Sequence, residues 1–222
     1  LRLRSTEPID AVYDELAADS AIESARVTSM PSVVFAGDSS TLANVRAVSG
    51  GYPLRGHLKT APRLLAEAQV VDGIPGPGEA WASPRLLARL GADTGATLEV
   101  GATTLEISRV LDFRPDEGWS FVDFAPTLLI NTTDLEATQL IQPGSRVSYN
   151  ALFAGGRSDI ERFKPELKER LREGERLRAL LLERCDKLST RVVEVRERMP
   201  QVLAEIRQRL ADRLADLRAE LD

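Results

Sequence analysis

The chain has 222 residues, 43% of them hydrophobic and 28% charged, with a formal charge of −5, so it can bury one sizeable core or two small ones and is not disordered as a whole. The acidic excess lies before about Ser158 and the rest is near balance, which leaves no basic face for a phosphate backbone and excludes nucleic acid as a partner. One cysteine, Cys185, and one histidine, His57, supply neither an internal disulfide nor the ligands of a structural zinc.

Leu1 and Leu3 alternate with Arg2 and Arg4, the pattern of a half-buried strand, and Ser5-Thr6-Glu7-Pro8 supplies turn chemistry. Helical spacing of Ile9, Val12 and Leu16 predicts a helix over about Ile9 to Ile22. Val27 to Phe35 and Leu42 to Val48 read as strands joined by the polar turn Gly37-Asp38-Ser39-Ser40, a hairpin. Ser49 to Gly56, with three glycines and a proline, breaks regular structure and marks a crossing into a second lobe. A short helix is expected around Arg63 to Ala68, a stiff loop over Ile74 to Gly78, and a helix that begins at Pro84 and stops at Gly91.

Two alternating strands around Gly101-Ala102 fill Thr97 to Leu111, and further strands are expected over Trp119 to Ile130 and Arg146 to Ala154. From Asp159 onward Glu, Arg and Leu dominate. There Val192, Val195, Met199, Val202, Ile206, Leu210, Leu214, Leu217 and Leu221 step by three or four residues, the seam of an amphipathic or coiled-coil helix that Pro200 interrupts, allowing a helical hairpin or a kinked stalk.

Five blocks carry a family resemblance in order: VVFAGDSSTLANVRAVSGGYPLRGH (33–57), IPGPGEAWASPRLLARLGADTGATLEVG (74–101), WSFVDFAPTLLINTTDL (119–135), LIQPGSRVSYNALFAG (140–155) and GERLR (174–178). They resemble the periplasmic domain of YbbP-type ABC transporter permeases, of the FtsX/MacB-like group. The resemblance implies an α+β MacB-like periplasmic domain with three parts: a discontinuous porter-like lobe (1–50 and 119–178), a mainly β inserted lobe (51–118) and a long C-terminal helical arm (179–222). It implies a non-catalytic role on the periplasmic side of the bacterial inner membrane, passing ATP-driven motion to the export or extraction of a hydrophobic or lipid-like compound. The partners it implies are a cytoplasmic ATPase subunit, a second permease half and, in some members, a periplasmic thioesterase or lysophospholipase.

No run approaches the roughly eighteen apolar residues that span a bilayer, and no signal peptide is recognisable. Leu1 in place of an initiator methionine suggests an excised piece. The family heads into an apolar membrane helix after the GERLR-like block, whereas Leu180 to Asp222 stays charged on one face. Either the natural tail diverges or a soluble helix replaces the membrane passage.

Gly37-Asp38-Ser39 resembles the Gly-Asp-Ser block of SGNH esterases, with Ser39 as nucleophile, but His57 lacks the Asp-x-x-His setting and the favoured reading is a capped turn. Asp14-Glu15 and Asp116-Glu117 read as surface charge. Phe113, Trp119, Phe121 and Phe124 form the main aromatic cluster. Core packing is the favoured reading, and the functional one is a surface for an apolar substrate or partner. No catalytic, cofactor-binding or metal-binding residue is assigned, and no Gly-x-x-x-x-Gly-Lys-Ser/Thr loop is present, so any ATPase is a separate subunit. Two alternatives stand beside the permease reading: an esterase using Ser39, and an assembly module driven by the tail helix.

Overall fold

The N-terminal alternation folds as β1 (Arg2–Ser5), which pairs antiparallel with β10 (Ser148–Ala154) from the far end of the sequence. The computed structural model describes residues 1–116 and 125–219, with only the backbone described at 211, 212 and 214–219. It divides into two units, Leu1–Pro165 and Glu166–Asp222.

Helix α1 (Val12–Asp19) is shorter than the spacing predicts. Asp10 Oδ1 accepts the Val12 N–H at 3.0 Å, while the Ile9 and Asp10 carbonyls accept from the Arg26 guanidinium, so these two carbonyls are taken by a partner outside the helix. The expected hairpin is present as β2 (Glu23–Ala36) and β3 (Ser39–Val48), in register from Val27↔Val48 to Ala36↔Ser39. Gly37, with φ 56°, supplies the positive φ that its two-residue turn needs. The helix expected around Arg63 to Ala68 does not form. Leu65 adopts φ 65°, a left-handed conformation that stops helix propagation, and the Leu64 N–H is taken by Asp93 Oδ1 at 3.0 Å.

Three short strands follow the glycine-rich break, β4 (Leu58–Ala61), β5 (Gln69–Val71) and β6 (Glu79–Ala82). Helix α2 (Pro84–Leu90) starts with Pro84 in its first turn and ends at Gly91 in the left-handed region, as its sequence predicts. β7 (Thr97–Val100) and β8 (Thr103–Phe113) flank Gly101, and β9 (Thr127–Asn131) leads through a 3-10 turn into α3 (Leu135–Thr138). Helix α4 (Arg157–Ala219) ends the described chain, with Pro200 inside it. The strand expected from Trp119 lies outside the described residues as far as Phe124.

The strands form one network ordered β1-β10-β2-β3-β9-β6-β8-β4-β5, with β7 pairing both β2 and β8. Following β2-β3-β9-β6-β8-β7 returns to β2, so six strands close into a barrel; β3–β9 and β6–β8 are parallel and the other pairings antiparallel. Within the ring each strand has a partner on both sides, and the free edges of the network are those of β1 and β5. Met30, Val34, Val45, Leu98, Ile107, Leu128 and Ile130 form the main core with Leu86, Leu87 and Leu90 of α2. A second cluster joins Ala25, Val27, Val48, Trp81 and Leu129 to Tyr52, Leu58 and Leu111. Strands from segments 1–50, 51–118 and 119–178 all contribute to the barrel wall, while β1–β10 and β4–β5 extend it beyond the ring.

Candidate functional site

The residues beside the expected aromatic cluster form an ionic latch. Arg46 projects from β3 on the face it shares with Val48, Tyr52 hangs from the Ser49–Gly56 break, and Arg114 and Asp116 follow the end of β8. Asp116 receives all three: Arg46 pairs with its Oδ2, the Tyr52 hydroxyl donates to Oδ1 at 2.6 Å, and Arg114 Nη1 lies 3.3 Å from Oδ1. Arg46 is 8% exposed and Arg114 2%. Guanidinium groups so deep need a counter-charge, and the carboxylate supplies it from the rim.

Burial, reinforced by the Asp116 negative charge, pushes the Tyr52 phenol above the usual tyrosine range, so it stays protonated and donates. Among the described residues Arg46, Tyr52 and Arg114 are all engaged with the one carboxylate, an arrangement that positions three stretches of chain. It ties the β8 exit, where segment 117–124 begins, to β3 and the 49–56 break.

Phe113 is 44% exposed, with Lys59 Nζ 6.0 Å from its ring centroid, so the core-packing expectation does not hold for this ring. The cause is register: Phe113 pairs with Lys59 where β4 joins β8, past the last buried residue of β8, Leu111. Trp119, Phe121 and Phe124 lie outside the described residues.

Ser39 pairs with Ala36 at the hairpin tip, whereas His57 Nδ1 stands 3.7 Å from Asp72 beside β4. Among the described residues no group of three or more His, Cys, Asp and Glu could hold a metal, and no helix is long and apolar enough to cross a membrane. An open pocket of about 310 Å³ lies between the α1 approach and the sheet, lined by Pro8, Ile9, Asp14, Arg26, Tyr149 and Asn150 among others. Its two charged side chains are bound to each other, Arg26 Nη2 lying 2.6 Å from Asp14 Oδ2.

The sequence reading missed Arg46, Tyr52 and Arg114 and took Asp116 for surface charge. One signal was there. Arg46 stands between Val45 and Ala47 and two residues from Val48, all fully buried, and an arginine in a strand covered on both faces requires an acid from elsewhere in the chain. Which acid could not be read, because Asp116 is 70 residues away.

Over 174 residues, 78% of its length, the chain is 33% identical to an uncharacterised ABC transporter permease, YbbP, of Escherichia coli (strain K12). It is related to the YbbP-type ABC transporter permeases. The chain spans 21% of that permease's length. No family model matches. Among solved structures, the extracellular domain of the noncanonic ABC-type transporter YknZ from Gram-positive bacteria aligns at TM-score 0.46 and 12% identity, covering 68% of this chain and 75% of that one. A permease-protein domain from Porphyromonas gingivalis aligns at TM-score 0.39 and 15% identity, covering 60% and 56%. In this YbbP-related chain the stretch Ser49–Gly56, which lies within the first block of the sequence resemblance, contains the buried Tyr52 of the latch.

Proposed function

We propose that this chain is a non-catalytic extracytoplasmic domain of an ABC permease, on the periplasmic side of a bacterial inner membrane. It passes motion driven by a separate cytoplasmic ATPase to the handling of a hydrophobic or lipid-like compound. The observation that carries the reading is the 33% identity over 174 residues to a named permease. A second permease half and, in some relatives, a periplasmic thioesterase or lysophospholipase complete the proposed assembly. Phe113, Trp119, Phe121 and Phe124 are its proposed contact surface; the exposure of Phe113 supports that role for one of the four rings.

The division into a lobe of 1–50 with 119–178, an insert of 51–118 and an arm of 179–222 belongs to the same proposal. Because the barrel wall draws on both lobes, relative motion falls on the extensions outside the ring. The β1–β10 edge, which continues into α4, moves against the β4–β5 edge. The test is a permease carrying this domain, reconstituted with its ATPase and labelled at Arg4 and Val70, with the inter-label distance followed through ATP turnover. A cycle-dependent change is expected; an invariant distance during active hydrolysis overturns the lever reading. Short acyl esters offered to the chain and to Ser39→Ala address the esterase alternative: turnover lost in the variant would overturn the non-catalytic reading.

A further inference from the structure

Within the unit Glu166–Asp222, α4 presents an apolar seam to solvent. Leu181, Leu188, Val195 and Val202 take the d positions of a strict heptad, and Cys185, Val192, Met199 and Ile206 the a positions; all eight are exposed. Arg178 and Arg209 fill the next seam positions outward, so the apolar register is bounded on both sides. The opposite face carries Glu183 and Lys187, paired at 2.6 Å at f and c, with Val193 at b as an exposed apolar residue on it. Pro200 falls at b, outside the seam.

We propose that the seam is covered by a second copy of this chain in an antiparallel coiled coil, each Cys185 facing Val202 of the other copy. This register opposes every a residue from Cys185 to Ile206 with a d residue of the partner helix, making one self-complementary, two-fold interface. Its flanks decide the direction. The e positions bring Leu182 against Leu203 twice, adding four exposed leucines to the buried stripe, and the g positions bring Arg184 against Glu205 twice. The remaining flanking contacts are Ser189 with Arg196 and one like-charged set, Arg191 with Arg198.

A parallel dimer keeps a like-charged set, Arg191 with Arg196, loses both Arg184–Glu205 pairs and sets Leu203 against Arg198. It also aligns the two helix dipoles head to head, which the antiparallel arrangement avoids.

Cys185 reports the direction in the full chain. In a parallel pair the two thiols are neighbours at one a layer; in the antiparallel pair they are about 25 Å apart along the axis, since 17 residues separate Cys185 from position 202 at ~1.5 Å per residue. The experiment combines sedimentation equilibrium with mild oxidation and non-reducing electrophoresis. A dimer is expected, in which the unaltered chain resists cross-linking and Val202→Cys yields a covalent dimer. Glu205→Arg should weaken association several-fold, and Arg184→Glu added to it should restore it. Leu188→Glu should give a monomer with unchanged tryptophan fluorescence. A monomer at 100-fold dilution steps through the micromolar range overturns the proposal, as does rapid Cys185–Cys185 cross-linking, which assigns the parallel arrangement instead.

Discussion

Replacing Asp116 with Ala removes the one carboxylate among the described residues that meets Arg46, Arg114 and Tyr52 together. Breaking a buried ion pair from one side costs about 3–5 kcal/mol when the stranded charge stays dry. Asp116 is 31% exposed at the side chain and Arg46 10%, so water can reach the vacated site and the ionic part falls to about 2 kcal/mol. The Tyr52 hydroxyl loses a charged acceptor as well, a bond of about 1.5 kcal/mol. The expected loss for Asp116→Ala is therefore about 3.5 kcal/mol, with Tyr52→Phe near 1.5 kcal/mol. The double variant should fall short of the sum by about 1 kcal/mol because the two changes share one bond. Asp116→Asn, which keeps an acceptor and loses the charge, should fall between. Urea unfolding followed by tryptophan fluorescence reads these values through Trp81, in the same cluster as Tyr52. A loss below about 0.5 kcal/mol for Asp116→Ala, the scale of an ordinary surface change, would refute the latch.

Three further outcomes follow from the same geometry. Because the folded state holds the Tyr52 proton above the usual range while the unfolded state releases it near pH 10, stability should fall above that pH by about 1.4 kcal/mol per unit. Tyr52→Phe should flatten the decline between pH 10 and 11.5, and parallel slopes in urea midpoints for the two proteins would count against it. At Gly101 an added Cβ would sit 2.0 Å from the Thr138 carbonyl oxygen at φ 61°. Gly101→Ala should therefore lose about 3 kcal/mol, strain and collision together, read from the same urea curves. Asp93 holds its carboxyl below the usual range chiefly through the Leu64 N–H and then the Thr94 N–H. Its contribution is present above the ordinary carboxylate range and disappears as pH falls through its own lowered value. Asp93→Ala should speed hydrogen exchange at Leu64, and unaltered exchange there would show that the loop is held by other contacts.

What the sequence made legible is what neighbours in the chain decide. Gly37-Asp38 sets the β2–β3 turn, Pro84 and Gly91 bound α2, and Gly101 turns β7 into β8; each rests on backbone chemistry within a few residues. The failures are local patterns overruled from a distance. Arg63 to Ala68 has helical composition, yet Leu65 turns to φ 65° where Asp93 holds the preceding amide, and Ile9-Asp10 is drawn off α1 by Arg26. β4, β5 and β6 are three or four residues long, too short for a period to declare itself, and gain their place only by pairing with β8, β4 and β9. Barrel closure was unreadable for a related reason: it depends on two residue pairs, Val34↔Val100 and Phe35↔Glu99.

The same contrast explains why the latch was hidden while the aromatic stretch stood out. Composition draws attention to rings, because aromatics make up only 5% of this chain, whereas a site made of common residues is marked only by where they meet. Arg46, Tyr52, Arg114 and Asp116 come from three separate stretches and gain their character from burial around one carboxylate. That carboxylate belongs to the residue that immediately precedes segment 117–124 in the chain. A substitution at Asp116 should therefore change the environment of Trp119 as well as the stability. Asp116→Ala is expected to alter the accessibility of Trp119 to iodide quenching, measured in a Trp81→Phe background under conditions where the chain stays folded. Identical quenching with and without the carboxylate would refute this coupling and confine the latch to the barrel wall.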